Sequence, residues 1–278
     1  MGYDHNAATI IRESIEYRAP PLSCQSTVYL SENLVDVTTT ANRTSRISCY
    51  RRLSANTYLN TSTGEVSAYN HKPPGPMDPS QFKRAFDQLR RIIYANISGN
   101  GTEKHIVLTL SSDNPPELED VYTYFGSFWK KLKYRYPDFR YIAVAEPNST
   151  GGRYHLHLLL ICDVPVQLDK DEICRLWGKG YVYIAPITST DRIAAYFYVK
   201  DKRARWAAFY HPRKRLFRCS RGIIRPRASI MTREEVNTYV QQRNLRLSSA
   251  SCHRICQKSA DGSERVLNVI TYEQFSHQ

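Results

Sequence analysis

"YHLHLLLIC" (154–162) is the stretch that decides how this sequence is interpreted. Its apolar residues alternate with two histidines, His155 and His157, and then continue without interruption. On a β-strand, residues two apart point to the same face of the sheet. The stretch therefore predicts a strand that carries two imidazoles side by side, as a divalent metal ion requires. The alternative is a structural pair of histidines in a hydrophobic strand.

The segments around this strand show the spacing of apolar residues that is typical of strands or of helices. The predicted elements are, in order, a strand (104–112), a helix (114–136), a strand (139–146), the histidine strand, a short helix within 170–180 that is closed by Gly178, and a strand (181–187). This β-α-β-β-α-β order predicts an α+β fold with a ferredoxin-like antiparallel sheet and two helices on one face. The segment 189–203 begins with Ser189, Thr190 and Asp191 as candidate caps and predicts a third helix.

Four regions are expected along the chain. Residues 1–45 are polar and show no sustained period, so we expect a poorly structured extension. Residues 46–103 predict a hairpin at 56–70 and an amphipathic helix within 72–97. Residues 104–203 form the predicted catalytic domain, and residues 204–278 a basic accessory region.

The charge of the chain favours a polyanionic partner. Lys and Arg number 39 against 26 Asp and Glu, which gives a net charge of +13. Ten Lys or Arg residues and no acid lie between Lys202 and Arg227, together with aromatic residues, a mixture typical of single-stranded nucleic-acid binding. A solvated basic face is the alternative. The predicted DNA-binding residues are Arg153, Lys202, Arg203, Arg205, Arg213, Lys214, Arg215, Arg218 and Arg221.

The sequence gives no sign of a membrane or secreted protein. No stretch approaches the roughly 20 apolar residues of a spanning helix, and the first residues lack the apolar core of a secretory signal. The seven cysteines are scattered and odd in number, which is typical of reduced thiols. We therefore expect a cytoplasmic protein with no membrane partner.

Glu146 is the third candidate metal ligand. It closes the strand before the histidine strand, and His155 opens the next, so a hairpin would bring the two together. Two imidazoles and one carboxylate suit Mg²⁺ or Mn²⁺, whereas structural zinc sites use a fuller ligand set. The alternative for Glu146 is a strand-end carboxylate that faces water.

A metal that polarises a phosphodiester needs a nucleophile, and the third helix offers Tyr196 and Tyr198. At 100° per residue, Tyr196 lies beside the Ile193/Phe197 stripe that should pack on the sheet, and it shares a face with Lys200. Tyr198 lies on the far side. The prediction is therefore Tyr196 as nucleophile, with Tyr198 as the alternative.

These motifs together resemble the HUH endonucleases, specifically the rolling-circle replication initiators of small bacterial plasmids and single-stranded DNA phages. "HIVLTLSSD" (105–113) resembles the first motif of this family, "VAEPNSTGGRYHLHLLL" (144–160) the second and "RIAAYFYVKDKR" (192–203) the third. The segments "LWGKGYVYIAPI" (176–187) and "RLFRCSRGIIRP" (215–226) are also similar to segments of this group. The resemblance extends over residues 46–278.

The resemblance implies a site-specific single-stranded DNA endonuclease and strand transferase. Glu146, His155 and His157 would hold Mg²⁺ or Mn²⁺, and Tyr196 would form a 5′-phosphotyrosyl intermediate and free a 3′-OH primer, assisted by Lys200. The implied substrate is single-stranded origin DNA in a hairpin loop, in the cytoplasm of a bacterial host. Because no G-x-x-x-x-G-K-[ST] motif is present, a host helicase and DNA polymerase are the expected partners.

The chain departs from the family pattern in one spacing. The usual lysine follows the tyrosine by three residues, but here that position is Val199 and Lys200 follows by four. Relaxase relatives add a third histidine, and position 161 is Ile; transposase relatives are usually shorter. The alternative from another functional class is a non-catalytic origin-binding replication repressor.

Overall fold

The computed structural model describes residues 9–41, 50–54, 56–60, 64–69, 79–111, 116–148, 154–198, 215–259 and 261–277. The chain divides into two compact units. The central unit comprises Leu30–Leu34 and Pro76–Arg227. The terminal unit comprises Met1–Tyr29, Val35–Gly75 and Ala228–Gln278.

The elements of the described residues are, in chain order, β1 (Thr9–Ile15), β2 (Gln25–Leu30), β3 (Leu34–Thr40), β4 (Tyr50–Arg52), β5 (Thr57–Asn60), β6 (Val66–Ala68), α1 (Pro79–Asn96), β7 (Lys104–Leu108), α2 (Leu118–Arg135), β8 (Arg140–Pro147), β9 (Tyr154–Ile161), α3 (Lys170–Trp177), β10 (Val182–Pro186), α4 (Thr190–Tyr198), β11 (Phe217–Cys219), β12 (Ala228–Thr232), α5 (Arg233–Gln242), β13 (Arg246–Lys258) and β14 (Glu264–Ser276). This mixture of helices and antiparallel sheets confirms the predicted α+β class.

The central unit is built on one antiparallel sheet. Its strand order is β10-β7-β9-β8-β11, so that the histidine strand β9 lies in the middle. Helix α2 packs on one face, where the rings of Phe125 and Trp129 contact Tyr141 of β8. Helix α4 packs on the other face, where the ring of Phe197 contacts His157 of β9.

Local sequence explains why these elements form. Helix α2 buries Val121, Phe125, Phe128 and Leu132, which follow the three- and four-residue spacing of a helical stripe. Helix α3 ends at Gly178, which has a φ of 60°, a left-handed conformation that glycine adopts without steric cost. The helices and strands predicted between residues 104 and 187 are therefore present. Most are shorter than predicted, whereas β8 keeps its length and begins and ends one residue later.

The terminal unit differs from the expectation for both ends of the chain. Its six-stranded sheet has the order β1-β13-β14-β3-β2-β12. Residues 9–15, 25–30 and 34–40 are strands, so the prediction of a poorly structured extension over residues 1–45 is wrong for these segments. Strand β1 pairs with β13, more than 200 residues away, and such pairing leaves no periodic signal in a short polar segment.

The region boundaries also differ from the expected division. The segment 215–227 belongs to the central unit, where β11 pairs with β8, whereas residues 228–278 join the terminal unit. The predicted hairpin at 56–70 is present as β5 and β6, and β4 pairs with β5.

Six cysteines in the described residues are free thiols: Cys24, Cys162, Cys174, Cys219, Cys252 and Cys256. No helix among the described residues is both long and apolar enough to cross a membrane.

Candidate active site

The hairpin of β8 and β9 brings the predicted metal ligands together. In its register, Glu146 lies opposite His155, and Val144 lies opposite His157. Directly opposite residues of an antiparallel pair share a face of the sheet. Glu146, His155 and His157 therefore project from the same face, as the alternation in the sequence predicts.

The three side chains converge on one carboxylate oxygen. Nε2 of His157 lies 2.8 Å from Oε2 of Glu146, and Nε2 of His155 lies 3.6 Å from the same oxygen. The side chains of His157 and Glu146 are 3% and 8% exposed, whereas that of His155 is 28% exposed. The cluster is therefore closed on the protein side and open to solvent beside His155.

This donor set fits a divalent cation. One ligand atom from each of the three residues lies within 4.8 Å of the other two. Two imidazole nitrogens and one carboxylate oxygen suit Mn²⁺ or Mg²⁺, and three protein donors leave coordination positions for a substrate. The chemistry of these side chains is therefore compatible with the ion that the sequence predicts.

Helix α4 places the hydroxyl of Tyr196 at the cluster. The hydroxyl donates a hydrogen bond to Oε2 of Glu146 at 3.1 Å and lies 3.2 Å from Nε2 of His157. Ile193, Ala194 and Phe197 of the same helix are buried, so the packed side of α4 carries Tyr196 to the sheet. Burial, and then the neighbouring Glu146 carboxylate, raise the pKa of the Tyr196 phenol well above its usual value.

Tyr198, the alternative nucleophile, points elsewhere. Its hydroxyl donates to Oδ1 of Asp87 in α1 at 2.7 Å, and the guanidinium of Arg90 lies 5.1 Å from the centre of its ring. Burial and the hydrogen bond to Asp87 raise the pKa of Tyr198. The geometry separates two tyrosines that are only two residues apart, and brings Tyr196 alone of the pair to the candidate ligands.

His105 of β7 is a member of the site that the sequence did not single out. Its Nε2 lies 2.9 Å from Nδ1 of His157, and the two rings are stacked with centroids 5.1 Å apart. In the register of β7 and β9, Val107 lies opposite His157, and His105 is two residues from Val107 on the same face. The sequence predicted a strand at β7, but not the register with β9 that sets His105 beside His157.

The structure describes only some of the other predicted site residues. Lys200, Arg153, Lys202, Arg203, Arg205, Arg213 and Lys214 lie outside the described residues. Arg215 and Arg221 are exposed. Arg218 lies on the sheet face opposite His157, where its guanidinium is 3.9 Å from the centre of the Tyr122 ring and 3.5 Å from Glu119. The catalytic role of Lys200 and the DNA-binding role of the other residues stay predictions.

Comparison with known proteins gives a match to a family model over part of the chain. Neither a curated protein nor a solved structure matches the chain. Residues 103–203 match the family described as "Replication-associated protein ORF2/G2P". The matched segment contains His105, Glu146, His155, His157 and Tyr196. The match supports a role for this chain in the initiation of replication.

Proposed function

We propose that the chain is a rolling-circle replication initiator, a metal-dependent endonuclease of the HUH type that nicks single-stranded origin DNA through Tyr196. The observation that carries the proposal is the position of the Tyr196 hydroxyl, within 3.2 Å of both Glu146 and His157. A nucleophile beside a candidate metal site is the arrangement that phosphoryl transfer to a protein side chain needs.

The architecture of the central unit is compatible with this proposal. Strands β7, β8, β9 and β10 occur in the chain order β-α-β-β-α-β, with α2 and α3 as the helices. Their order in the sheet is β10-β7-β9-β8, all antiparallel, and β11 extends the sheet beside β8. We assign this arrangement to the ferredoxin-like fold of HUH nucleases.

In the proposed reaction, the phenolic oxygen of Tyr196 forms a bond to phosphorus while its proton passes to solvent water. The bond from phosphorus to the 3′ oxygen breaks, and that oxygen takes up a proton. The products are a 5′-phosphotyrosyl ester and a free 3′-OH. The ester keeps the energy of the cleaved bond, so a later strand transfer can rejoin the DNA.

The protein groups have distinct roles in this step. Glu146, His155 and His157 would hold Mg²⁺ or Mn²⁺, and the hydrogen bond to Glu146 orients the phenol. A bound divalent cation supplies positive charge that favours the phenolate and stabilises the charge on the phosphate. Without the ion, burial and then the Glu146 carboxylate raise the pKa of Tyr196, and a bound cation would act in the opposite direction. We assign Lys200 to the same charge stabilisation, as an ammonium group.

The proposed partners follow from the reaction and the charge. The net charge of +13 favours DNA, and we propose a single-stranded origin segment in a hairpin loop as the substrate. A free 3′-OH serves a DNA polymerase, and a host helicase would separate the strands.

The test uses single-stranded oligonucleotides that tile both strands of the replicon encoding the chain. Each is incubated with the protein and Mn²⁺ and resolved on a denaturing gel. We expect one oligonucleotide to give a protein-linked band that disappears with Tyr196→Phe, with His157→Ala and with chelator, but persists with Tyr198→Phe.

The two tyrosine variants are matched, because each removes one hydroxyl from the same helix. An adduct lost only with Tyr198→Phe would refute the assignment of the nucleophile. Binding of an oligonucleotide without any adduct from wild type would refute the nuclease and favour an origin-binding repressor.

A further inference from the structure

The two ring nitrogens of His157 face in different directions. Nε2 faces Glu146 and the Tyr196 hydroxyl, whereas Nδ1 lies 2.9 Å from Nε2 of His105. The side chain of His157 is only 3% exposed, so bulk water does not serve as the partner of Nδ1. A buried ring nitrogen without a partner is costly, and His105 satisfies it.

The hydrogen bond between the two rings constrains which nitrogen of His157 carries a proton. A neutral imidazole holds its proton on one nitrogen and a lone pair on the other. For Nε2 to act as a ligand, the proton must be on Nδ1, which then donates to Nε2 of His105. When no cation is bound and Nε2 donates to Glu146, Nδ1 must instead accept a hydrogen bond.

We propose that His105 is a positioning residue, which holds the ring of His157 and supplies the matching hydrogen bond in both states. This role rests on the metal site of the proposed function. An imidazole is suited to it because it accepts through a nitrogen in one tautomer and donates through the same nitrogen in the other. A backbone carbonyl, which only accepts, would leave Nδ1 of His157 without a donor in the metal-free state.

The stacked geometry adds a second constraint. The planes of the two rings are inclined by only 22°, and the ring of His157 also makes a T-shaped contact with the ring of Phe197. The rotation of the His157 ring is therefore limited by packing as well as by the hydrogen bond. Groups that orient a ligating histidine typically contribute about 10- to 100-fold to metal affinity.

The test measures Mn²⁺ affinity directly, by electron paramagnetic resonance of free Mn²⁺, in the full chain. His105→Phe keeps a flat ring but removes the hydrogen bond, and we expect affinity to fall by about 10- to 100-fold. His105→Gln restores a side chain that both donates and accepts, and we expect it to recover most of the lost affinity. The matched control is His253→Phe, the same substitution at a histidine of the terminal unit, which should leave affinity unchanged.

Two further readouts separate positioning from direct ligation. Spin-echo modulation of bound Mn²⁺ counts coordinated imidazole nitrogens, and this count should be the same in wild type and His105→Gln. Adduct formation by His105→Phe should recover at saturating Mn²⁺, because the variant weakens binding of the ion and leaves Tyr196 in place.

The outcomes are distinguishable. Equal Mn²⁺ affinity in wild type and His105→Phe refutes the positioning role alone, and so does the loss of one coordinated nitrogen in His105→Gln, which would make His105 a ligand. A wild-type chain that binds no Mn²⁺ refutes the metal site itself, and this role with it. A thermal unfolding curve for each variant confirms that the comparison is between folded proteins.

Discussion

Gly180, in the turn between α3 and β10, is required by a close approach of two backbone segments. A Cβ atom at this position would lie 2.4 Å from the carbonyl oxygen of Thr109, 2.8 Å from its carbonyl carbon and 3.0 Å from the nitrogen of Ser111. These are backbone atoms of the segment that follows β7, and backbone cannot move aside as the end of a flexible side chain can. Gly180→Ala must therefore separate the two segments.

The size of the effect follows from the hydrogen bonds across this approach. Ordinary contact begins at 3.4 Å, so relief of the overlap with the Thr109 oxygen requires a movement of about 1 Å. The amides of Thr109 and Ser111 donate to the carbonyls of Tyr181 and Lys179 at 2.9 and 2.8 Å, and the amide of Tyr181 donates to the Thr109 hydroxyl at 2.7 Å. A movement of that size takes these bonds beyond hydrogen-bonding distance. At about 0.5–1.5 kcal/mol for each bond, we expect a loss of about 2–4 kcal/mol.

The matched control is Gly126→Ala in α2, where nothing lies within 4 Å of an added Cβ. Both substitutions restrict the unfolded chain equally, but Gly126 is in a helix, where alanine stabilises by about 0.5–1 kcal/mol. The assay is urea unfolding followed by the tryptophan fluorescence of the central unit, with hydrogen exchange at the amides of Tyr181 and Ser111. A Gly180→Ala variant as stable as wild type, with normal exchange protection, would refute the reasoning.

Two further predictions concern the terminal unit. The side chains of the Arg233–Glu273 ion pair are 8% and 0% exposed. Because Arg233→Met leaves the Glu273 carboxylate buried without its partner charge, it should lower the free energy of unfolding by about 3–5 kcal/mol, and adding Glu273→Gln should recover part of this loss. A urea double-mutant cycle measures both effects, and additive losses would contradict the prediction. Burial and the hydrogen bond to Glu273 raise the pKa of Tyr17 from 10.0 to about 12. The stability that the protonated phenol contributes is therefore full below pH 10 and is lost as the pH rises through 12. The difference in unfolding free energy between wild type and Tyr17→Phe should fall over this pH range by about 1–2 kcal/mol, after allowance for the partial exposure of the phenol. A difference that does not change with pH would exclude this coupling between the ionisation of Tyr17 and folding.

The match over residues 103–203 and the geometry of the site concern the same part of the chain. The family match reflects sequence alone and supports a role in replication initiation. The convergence of Glu146, His155, His157 and Tyr196 reflects the fold of the central unit. Together they make an assay of the proposed nicking reaction the most direct experiment on this protein.

The sequence by itself predicted the helices of the central unit and its strands β7 to β10, but not β11, and it predicted that the candidate ligands lie together. Alternation over 154–161 placed His155 and His157 on one face, and the short connection between β8 and β9 brought Glu146 beside them. The helical period of α4 separated Tyr196 from Tyr198 in the predicted direction. All of these properties are local, because a side chain's face depends only on the period of its own strand or helix.

Only the tertiary structure decided which distant segments meet. It placed His105 of β7 against His157, Arg218 on the opposite face of the sheet, and β1 beside β13. These contacts depend on the register and order of strands that are far apart in the chain, and neither is encoded in the period of any one segment. For the same reason, the short polar segments near the first residues gave no sign of the sheet that the terminal unit builds from them.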